Sequence, residues 1–123
     1  MTAVGNPQDS IVFDANGSGE WAGINLLDSS DDTHLEYIRI SNVGLVGNSY
    51  GALQSPLNIN QSDGATLRHV QISGNNLLDS FACGGLLIEN SSATLENFDI
   101  NNNQSTAVLA MNSSDARLNR FII

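Results

Sequence analysis

A six-residue pattern, leucine-x-x-apolar-x-isoleucine, occurs four times in this chain of 123 residues. The four copies begin at Leu35, Leu67, Leu95 and Leu118, so successive copies are 32, 28 and 23 residues apart. Repeats of this length are typical of proteins that stack one small structural unit on the next. Because each unit buries its apolar face only against its neighbours, the repeat limits the choice of fold before any local propensity is considered.

A second pattern, apolar-x-apolar-x-polar-serine, precedes each copy of the first. Its copies cover residues 24–29, 57–62, 86–91 and 109–114. The alternation of apolar residues, as at Leu86 and Ile88, predicts strands with one buried face. In the first pattern the step of three from Leu95 to Phe98 interrupts this alternation, so we expect a bend near 96–97. Since another strand separates equivalent motifs, parallel stacking is a simpler arrangement than hairpins.

Parallel stacking in register predicts columns of equivalent residues about 4.8 Å apart. The predicted interior columns are Leu35, Leu67, Leu95 and Leu118; Ile40, Ile72, Ile100 and Ile123; and Leu26, Ile59, Ile88 and Met111. On the outer face the register aligns Glu36 with Arg68 and Glu96, and Arg39 with Gln71 and Asp99. Ser29, Ser62, Ser91 and Ser114 fall at one corner. Short polar side chains there would satisfy unpaired backbone groups, which is a structural role.

Residues 95–103, which read Leu-Glu-Asn-Phe-Asp-Ile-Asn-Asn-Asn, resemble the repeats of parallel β-helix proteins of the pectate-lyase-like superfamily. The passage from Ile11–Phe13 to residues 19–24, Gly-Glu-Trp-Ala-Gly-Ile, is similar to the opening of many such domains. The resemblance extends from Ile11 to Ile123. It implies an all-β fold, a right-handed parallel β-helix or solenoid of about four coils. We expect a single domain over residues 1–123, without a separate C-terminal cap.

The composition argues against two classes of partner. A formal net charge of −9, with no lysine, opposes binding to nucleic acid or to an anionic membrane surface, since both need a basic footprint. The one cysteine, Cys83, excludes an internal disulfide framework. No apolar run is long enough to insert into a bilayer, and Met1–Ser10 are too polar for a signal peptide. The resemblance nevertheless implies an extracellular or cell-surface location.

The spacing from each isoleucine of the column to the start of the next apolar motif shortens along the chain, from 17 to 14 to 9 positions. Insertions in solenoids collect on one face, which is often the binding face. The candidate ligand-binding residues in these connections are Asn48, Tyr50, Asp79 and Phe81. The two aromatic rings would either stack on a sugar ring or cover apolar surface of the repeats. Both interpretations remain open at this point.

The superfamily includes polysaccharide lyases and hydrolases, and the residues that their chemistry requires are scarce here. Lyases abstract a proton with arginine or lysine, but of the four arginines the register assigns Arg39 and Arg68 to outer ladders. Polygalacturonase-type hydrolases use three aspartates, including carboxylates spaced around a water. Asp31 and Asp32 form the only adjacent pair, without the surrounding family signatures. We therefore expect no catalytic residues.

The positions of the aspartates and histidines in the sequence do not favour a metal or cofactor site. A calcium site from Asp28, Asp31 and Asp63 is an alternative to solvated corner residues, but calcium requires several converging oxygens and the loop lengths differ. His34 and His69 fall in different columns, which argues against a shared metal or acid/base role. We expect no cofactor and no bound metal.

We expect the first coil of the stack to be covered and the last coil to be exposed. Met1–Gln8 would drape over the first coil and Trp21 would cover it, whereas Phe121, Ile122 and Ile123 would leave an apolar lip. An unpaired strand edge of this kind favours pairing with a strand of another chain. One interpretation is a homo-oligomer joined through coil ends as a two-fold dimer, and the other is a segment of a longer β-helix.

The function that the sequence favours is a non-catalytic binding or scaffold module that self-associates through its open coil ends and contacts carbohydrate on its side face. The alternative is a polysaccharide-active enzyme, a hydrolase or lyase, or a fragment of one.

Overall fold

The structure is a computed structural model, and it describes residues 1–15, 17, 21–28, 33–44, 55–77, 83–104, 106–112 and 115–123. Over these residues the protein is all-β, with ten strands and no helix. The strands are β1 (Thr2–Val4), β2 (Ile11–Phe13), β3 (Ile24–Leu27), β4 (His34–Ser41), β5 (Leu57–Asn60), β6 (Thr66–Ser73), β7 (Cys83–Glu89), β8 (Thr94–Asn101), β9 (Thr106–Met111) and β10 (Arg117–Ile122).

The strands form two sheets in which all strand pairings are parallel. The first sheet has the order β1-β4-β6-β8-β10, with β2 also paired to β4, and the second has the order β3-β5-β7-β9. From β3 onward the chain alternates between the two sheets, so equivalent strands of successive repeats are hydrogen-bonded neighbours. The predicted parallel stacking of the repeats is confirmed.

The leucine column of the first sheet follows the predicted register. Leu35 pairs with Leu67, Leu67 with Leu95, and Leu95 with Leu118. The isoleucine column is confirmed from Ile40 through Ile72 to Ile100. Its predicted fourth member is wrong, because β10 ends one residue earlier and 74% of Ile123 is exposed.

The second sheet departs from the predicted register at its last strand. Ala110, not Met111, pairs with Ile88 and completes the column of Leu26 and Ile59, while Met111 pairs with Glu89. The pairing of β7 with β9 contains an irregularity between Cys83 and Leu86, where β7 has one residue more than β9. Residues 107–111 are all apolar, so no alternation in the sequence specifies which register forms.

The predicted bend occurs once in every repeat of the first sheet. Tyr37, His69, Asn97 and Arg120 occupy equivalent positions, and their φ angles lie between 51° and 57°. The pairing of strands skips this position, from Glu36 opposite Arg68 to Ile38 opposite Val70. A single left-handed residue therefore turns each strand and brings the apolar side chains on both sides of the step of three to the interior.

Two further columns of left-handed residues mark other corners. One consists of Asp28, Gln61, Asn90 and Asn112, and the other of Asn42, Gly74 and Asn102. Asparagine, aspartate and glycine enter this conformation at lower cost than other residues, which explains why they dominate both columns.

The core is one cluster of apolar side chains contributed by both sheets. It includes Leu67 and Ile100, which are buried as predicted. Phe98, the largest side chain in the cluster, is 1% exposed. Burial of these stacked side chains is the main stabilising contribution, at roughly 1.5–3 kcal/mol for each large apolar residue.

The N-terminal segment is more regular than expected. Thr2–Val4 form a strand that pairs with the first part of β4, and Ile11–Phe13 pair with its second part. Within Met1–Gln8, Thr2–Val4 therefore extend the first sheet by a strand, beyond the expected draping over the first coil. Trp21 lies where expected, half-buried against the core, and its Nε1 donates a hydrogen bond to the Ser41 carbonyl at 2.7 Å.

Candidate functional site

The predicted ligand-binding residues Asn48, Tyr50, Asp79 and Phe81 lie outside the described residues, as do Asp31 and Asp32. The described residues that flank the two connections are neighbours in space. The Asn76 amide donates a hydrogen bond to the Val43 carbonyl at 3.2 Å before the connections, and Ser55 Oγ donates to the Gly85 carbonyl at 3.0 Å after them. Both connections therefore leave and rejoin the repeats at adjacent positions.

The β10 edge, defined as Arg117–Ile122, is the last strand of the first sheet. It pairs with β8 on one side, and no other described strand pairs with its opposite side. Phe121 is half-buried and its ring stacks on that of Phe98, with centroids 4.8 Å apart and planes at 4°. Leu118 is 47% exposed and Ile122 68% exposed. The edge thus combines backbone groups that no described strand pairs with accessible apolar side chains, and this combination favours pairing with another strand.

The outer face of the first sheet carries the predicted ladder of alternating charge. Glu36, Arg68 and Glu96 are aligned as expected, and Arg68 Nε lies 3.5 Å from Glu96 Oε2. Glu36 instead contacts His34, whose Nε2 lies 3.1 Å from its Oε2. An exposed pair of this kind is worth about 0.2–1 kcal/mol, so the ladder contributes little to stability.

The neighbouring ladder is also in the predicted register. Arg39 pairs with Gln71 and Gln71 with Asp99. The Arg39 Nε donates a hydrogen bond to Gln71 Oε1 at 2.8 Å, while the Asp99 carboxylate accepts one from the Asn101 amide. Arg39 is therefore held by an amide oxygen and not by the carboxylate of its own column.

Tyr37 and His69 form an aromatic stack at the bend of the first sheet. Their ring centroids are 4.4 Å apart and the planes lie at 3°. The Asn97 side-chain amide continues the column, with its Nδ2 3.5 Å from His69 Nε2. His34 belongs to a different column, opposite Thr66, as the sequence predicted. The two histidines are therefore engaged in separate contacts.

The serine corner is a buried structural element at the two positions that the structure describes. The Ser62 amide donates to Ser91 Oγ at 3.1 Å. Each hydroxyl lies within hydrogen-bond distance of carbonyls on its own repeat and the preceding one, including Leu26 O for Ser62 and Ile59 O for Ser91. The predicted structural role is confirmed for Ser62 and Ser91, and Ser29 and Ser114 lie outside the described residues.

Asp63, one of the three aspartates considered for calcium, has a local structural contact. Its Oδ1 accepts hydrogen bonds from the Ser92 amide at 3.0 Å and from Ser92 Oγ at 2.7 Å. In the part of the chain that the structure describes, no three His, Cys, Asp or Glu residues are grouped to hold a metal ion. The same part contains no helix long and apolar enough to span a membrane.

An amide-carboxylate ladder on the second sheet was missed in the sequence. Glu89 accepts hydrogen bonds from Asn60 Nδ2 at 3.2 Å and from Asn112 Nδ2 at 2.6 Å, on successive repeats. The Oδ1 atoms of Asn58 and Asn60 are buried and have no hydrogen-bond partner. The signal was the alternation of asparagine with Leu57 and Ile59, which places both amides on one face of β5.

No family model matches the chain, and neither a curated protein nor a solved structure matches it significantly. Function is therefore inferred from the geometry of the outer faces and of the β10 edge.

Proposed function

We propose that the chain forms a right-handed parallel β-helix. Three observations support it: the chain alternates between two parallel sheets, equivalent strands are adjacent, and left-handed residues recur at equivalent corners. Connections between parallel strands of one sheet are almost always right-handed. With one strand from each sheet per turn, the repeats stack as coils around the shared apolar core.

On this scaffold we propose a non-catalytic binding or scaffold module that self-associates through its coil ends. The β10 edge is the single observation that carries this function. Ile122 and Leu118 expose large apolar side chains beside backbone groups that no described strand pairs. Phe121 stacks on Phe98 with one face, which leaves its other face toward the end of the stack. A further strand on this edge would cover Leu118 and the second face of Phe121, which belong to the interior columns, while Ile122 lies opposite Asp99 on the outer face.

The polar side chains on the outer faces contact one another, and this observation supports a scaffold role. Arg68 contacts Glu96, Arg39 contacts Gln71, and Glu89 contacts two asparagine amides. Groups engaged in ladders along the stack set its register more than they present chemistry to a substrate.

Carbohydrate contact is a second element of the proposal, assigned to the connections that contain Tyr50 and Phe81. The support is the adjacency of their flanks, since Val43 bonds to Asn76 and Ser55 bonds to Gly85. From these adjacent flanks we assign both connections to one side of the stack and propose that their aromatic rings stack on sugars.

Self-association is tested by size-exclusion chromatography with light scattering over a range of concentrations. We expect a mass above one chain that rises with concentration, and a shift toward the monomer for Ile122→Asp. The control is Asn76→Asp, which adds the same charge at an exposed position after β6, and β8 separates β6 from the β10 edge. A monomer at all concentrations would refute self-association.

Carbohydrate contact is tested on a glycan array, followed by turnover assays on acidic polysaccharides. We expect binding that is lost in Tyr50→Ala and Phe81→Ala and retained in the aromatic control Tyr37→Ala. Bond cleavage that disappears in Asp31→Asn or Asp32→Asn would instead establish the polysaccharide-active enzyme.

A further inference from the structure

We propose that copies of this chain associate head to tail, with the β10 edge of one copy against β1 and β2 of the next. This inference rests on the proposed self-association and specifies its geometry. It replaces the two-fold dimer with a contact between two different surfaces of the molecule. Charge, side-chain register and hydrogen-bond direction each support it.

Charge is distributed unequally along the sequence. Seven acidic residues and no basic ones precede Arg39, namely Asp9, Asp14, Glu20, Asp28, Asp31, Asp32 and Glu36. Residues 102–123 contain one acid, Asp115, and two of the four arginines, Arg117 and Arg120. Both arginines are exposed on the β10 edge, while Asp9 and Asp14 are exposed beside β2. The two ends of the stack therefore carry opposite local charge.

This distribution favours one mode of contact over the other. Head-to-tail contact places Arg117 and Arg120 near the acidic end of the next copy, where charge complementarity speeds and orients association. A two-fold contact between two β10 edges instead brings Arg117 and Arg120 of one chain close to the same two arginines of the other chain. Like charges at an interface are unfavourable, so charge opposes the symmetric dimer.

The interior columns continue across a head-to-tail contact. Ala3 belongs to the column that ends at Leu118, and Ile11 belongs to the column that ends at Phe121. Both N-terminal residues are half-buried and pack against the core from its other end. Stacking a second copy by one further repeat therefore places apolar side chains on apolar side chains.

One series of backbone hydrogen bonds in the first sheet also continues in a head-to-tail pair. The Thr66 amide donates to the Thr33 carbonyl, Thr94 to Ala65, and Arg117 to Ala93, always toward the preceding repeat. Thr2 is the equivalent of these donors in the first strand, and Ala116 is the equivalent acceptor next to the last. In a head-to-tail pair, the Thr2 amide of one copy donates to the Ala116 carbonyl of the copy before it.

A contact between two different surfaces does not close on itself unless the rotation between copies forms a ring. The expected assembly is consequently an open series of copies whose length rises with protein concentration. Because charged groups contribute to the contact, added salt weakens it.

The experiment is sedimentation velocity on the full chain and on two end variants. One variant is Arg117→Glu with Arg120→Glu, and the other is Asp9→Arg with Asp14→Arg. We expect each to weaken self-association by about tenfold or more, and an equimolar mixture to restore it, because each then offers an oppositely charged end to the other.

The matched control is Arg39→Glu with Arg68→Glu. It changes the net charge as much as the β10 variant does but lies in the middle of the stack, so wild-type association should be retained apart from a general charge effect. Urea unfolding of each variant, at protein concentrations low enough to keep it monomeric, measures the free energy of unfolding and verifies that the fold is intact.

The outcomes separate the two proposals. If the Asp9 and Asp14 variant associates like the wild type while the Arg117 and Arg120 variant does not, the contact is two-fold. That result overturns the head-to-tail geometry and leaves self-association standing. A wild-type chain that stays monomeric at low salt overturns both. Equal loss in the Arg39 and Arg68 control overturns the assignment of the contact to the ends.

Discussion

Phe121 covers Phe98, and their rings lie parallel with centroids 4.8 Å apart. Phe98 is almost fully buried, while Phe121 is half-buried because the β10 edge is the last described strand of its sheet. The pair joins the closed interior of the stack to its last described strand. An interior residue and an edge residue of the same type and column thus differ mainly in what lies on one side of the ring.

We expect Phe98→Ala to lower the free energy of unfolding by about 3–5 kcal/mol, the usual cost of removing a buried aromatic ring. Phe121→Ala should cost less, about 1–2 kcal/mol, since part of its ring is already in contact with water. Urea unfolding at concentrations that keep the chain monomeric measures both. Equal losses would contradict the difference in burial.

Ser91→Ala should lower the free energy of unfolding by about 1–3 kcal/mol. Its Oγ accepts a hydrogen bond from the Ser62 amide at 3.1 Å, and the alanine variant removes this buried hydrogen bond. The adjacent Ser92 is exposed and bonds to Asp63, and Ser92→Ala should cost at most about 1 kcal/mol. Thermal or urea unfolding of the two variants gives the comparison, and a larger loss at Ser92 would argue against a buried serine corner.

Substitution by valine should change the free energy of unfolding differently at two exposed asparagines. Asn90 has a φ of 47°, so Asn90→Val should cost about 1–2 kcal/mol while Asn90→Gly should be close to neutral. Asn25 lies within β3, where a β-branched residue suits the extended backbone, so Asn25→Val should be neutral or slightly stabilising. Chemical denaturation distinguishes these effects. Equal costs at both positions would mean that the left-handed corner is not formed.

Gly85→Ala should destabilise the protein by about 3 kcal/mol or more. A Cβ at this position would overlap the Ala107 carbonyl on the neighbouring strand and the Cγ2 of Ile100 in the core. Gly74→Ala is the control, since a Cβ there meets no atom within 4 Å and only its φ of 69° opposes the change. We expect about 1 kcal/mol for the control. A Gly85→Ala variant as stable as Gly74→Ala would show that β7 and β9 do not approach so closely.

The confirmed predictions share a physical basis in local spacing. The apolar steps of two and three around Leu95 and Phe98 require a strand, a bend and a second buried stretch, and the bend appears at Asn97 with its φ of 57°. The same spacing at Leu67 predicts the same structure at the next repeat. Register between these repeats follows, because any slip would turn a buried side chain to the solvent.

The incorrect predictions concern residues whose position depends on neighbours in space. The apolar-x-apolar-x-polar-serine motif at 109–114 places Met111 in the interior column, but Met111 ends a run of five apolar residues in which hydrophobicity alone does not distinguish one register from the next. Ile123 was assigned to an interior column, yet it lies beyond the end of β10 and is exposed. The contacts of Glu89 with Asn60 and Asn112 join three repeats. The second motif aligns these residues, but the alignment alone does not show that their side chains bind one another.

The sequence by itself determined the all-β class, the parallel order of the repeats and most interior columns, because apolar periodicity governs which side of a strand can be buried. Only the tertiary structure decided the register of β9, the strand at Thr2–Val4 and the different surroundings of Phe98 and Phe121. Those features depend on which strand lies next to a given strand in the sheet. The apolar periodicity of a single strand does not identify that neighbour.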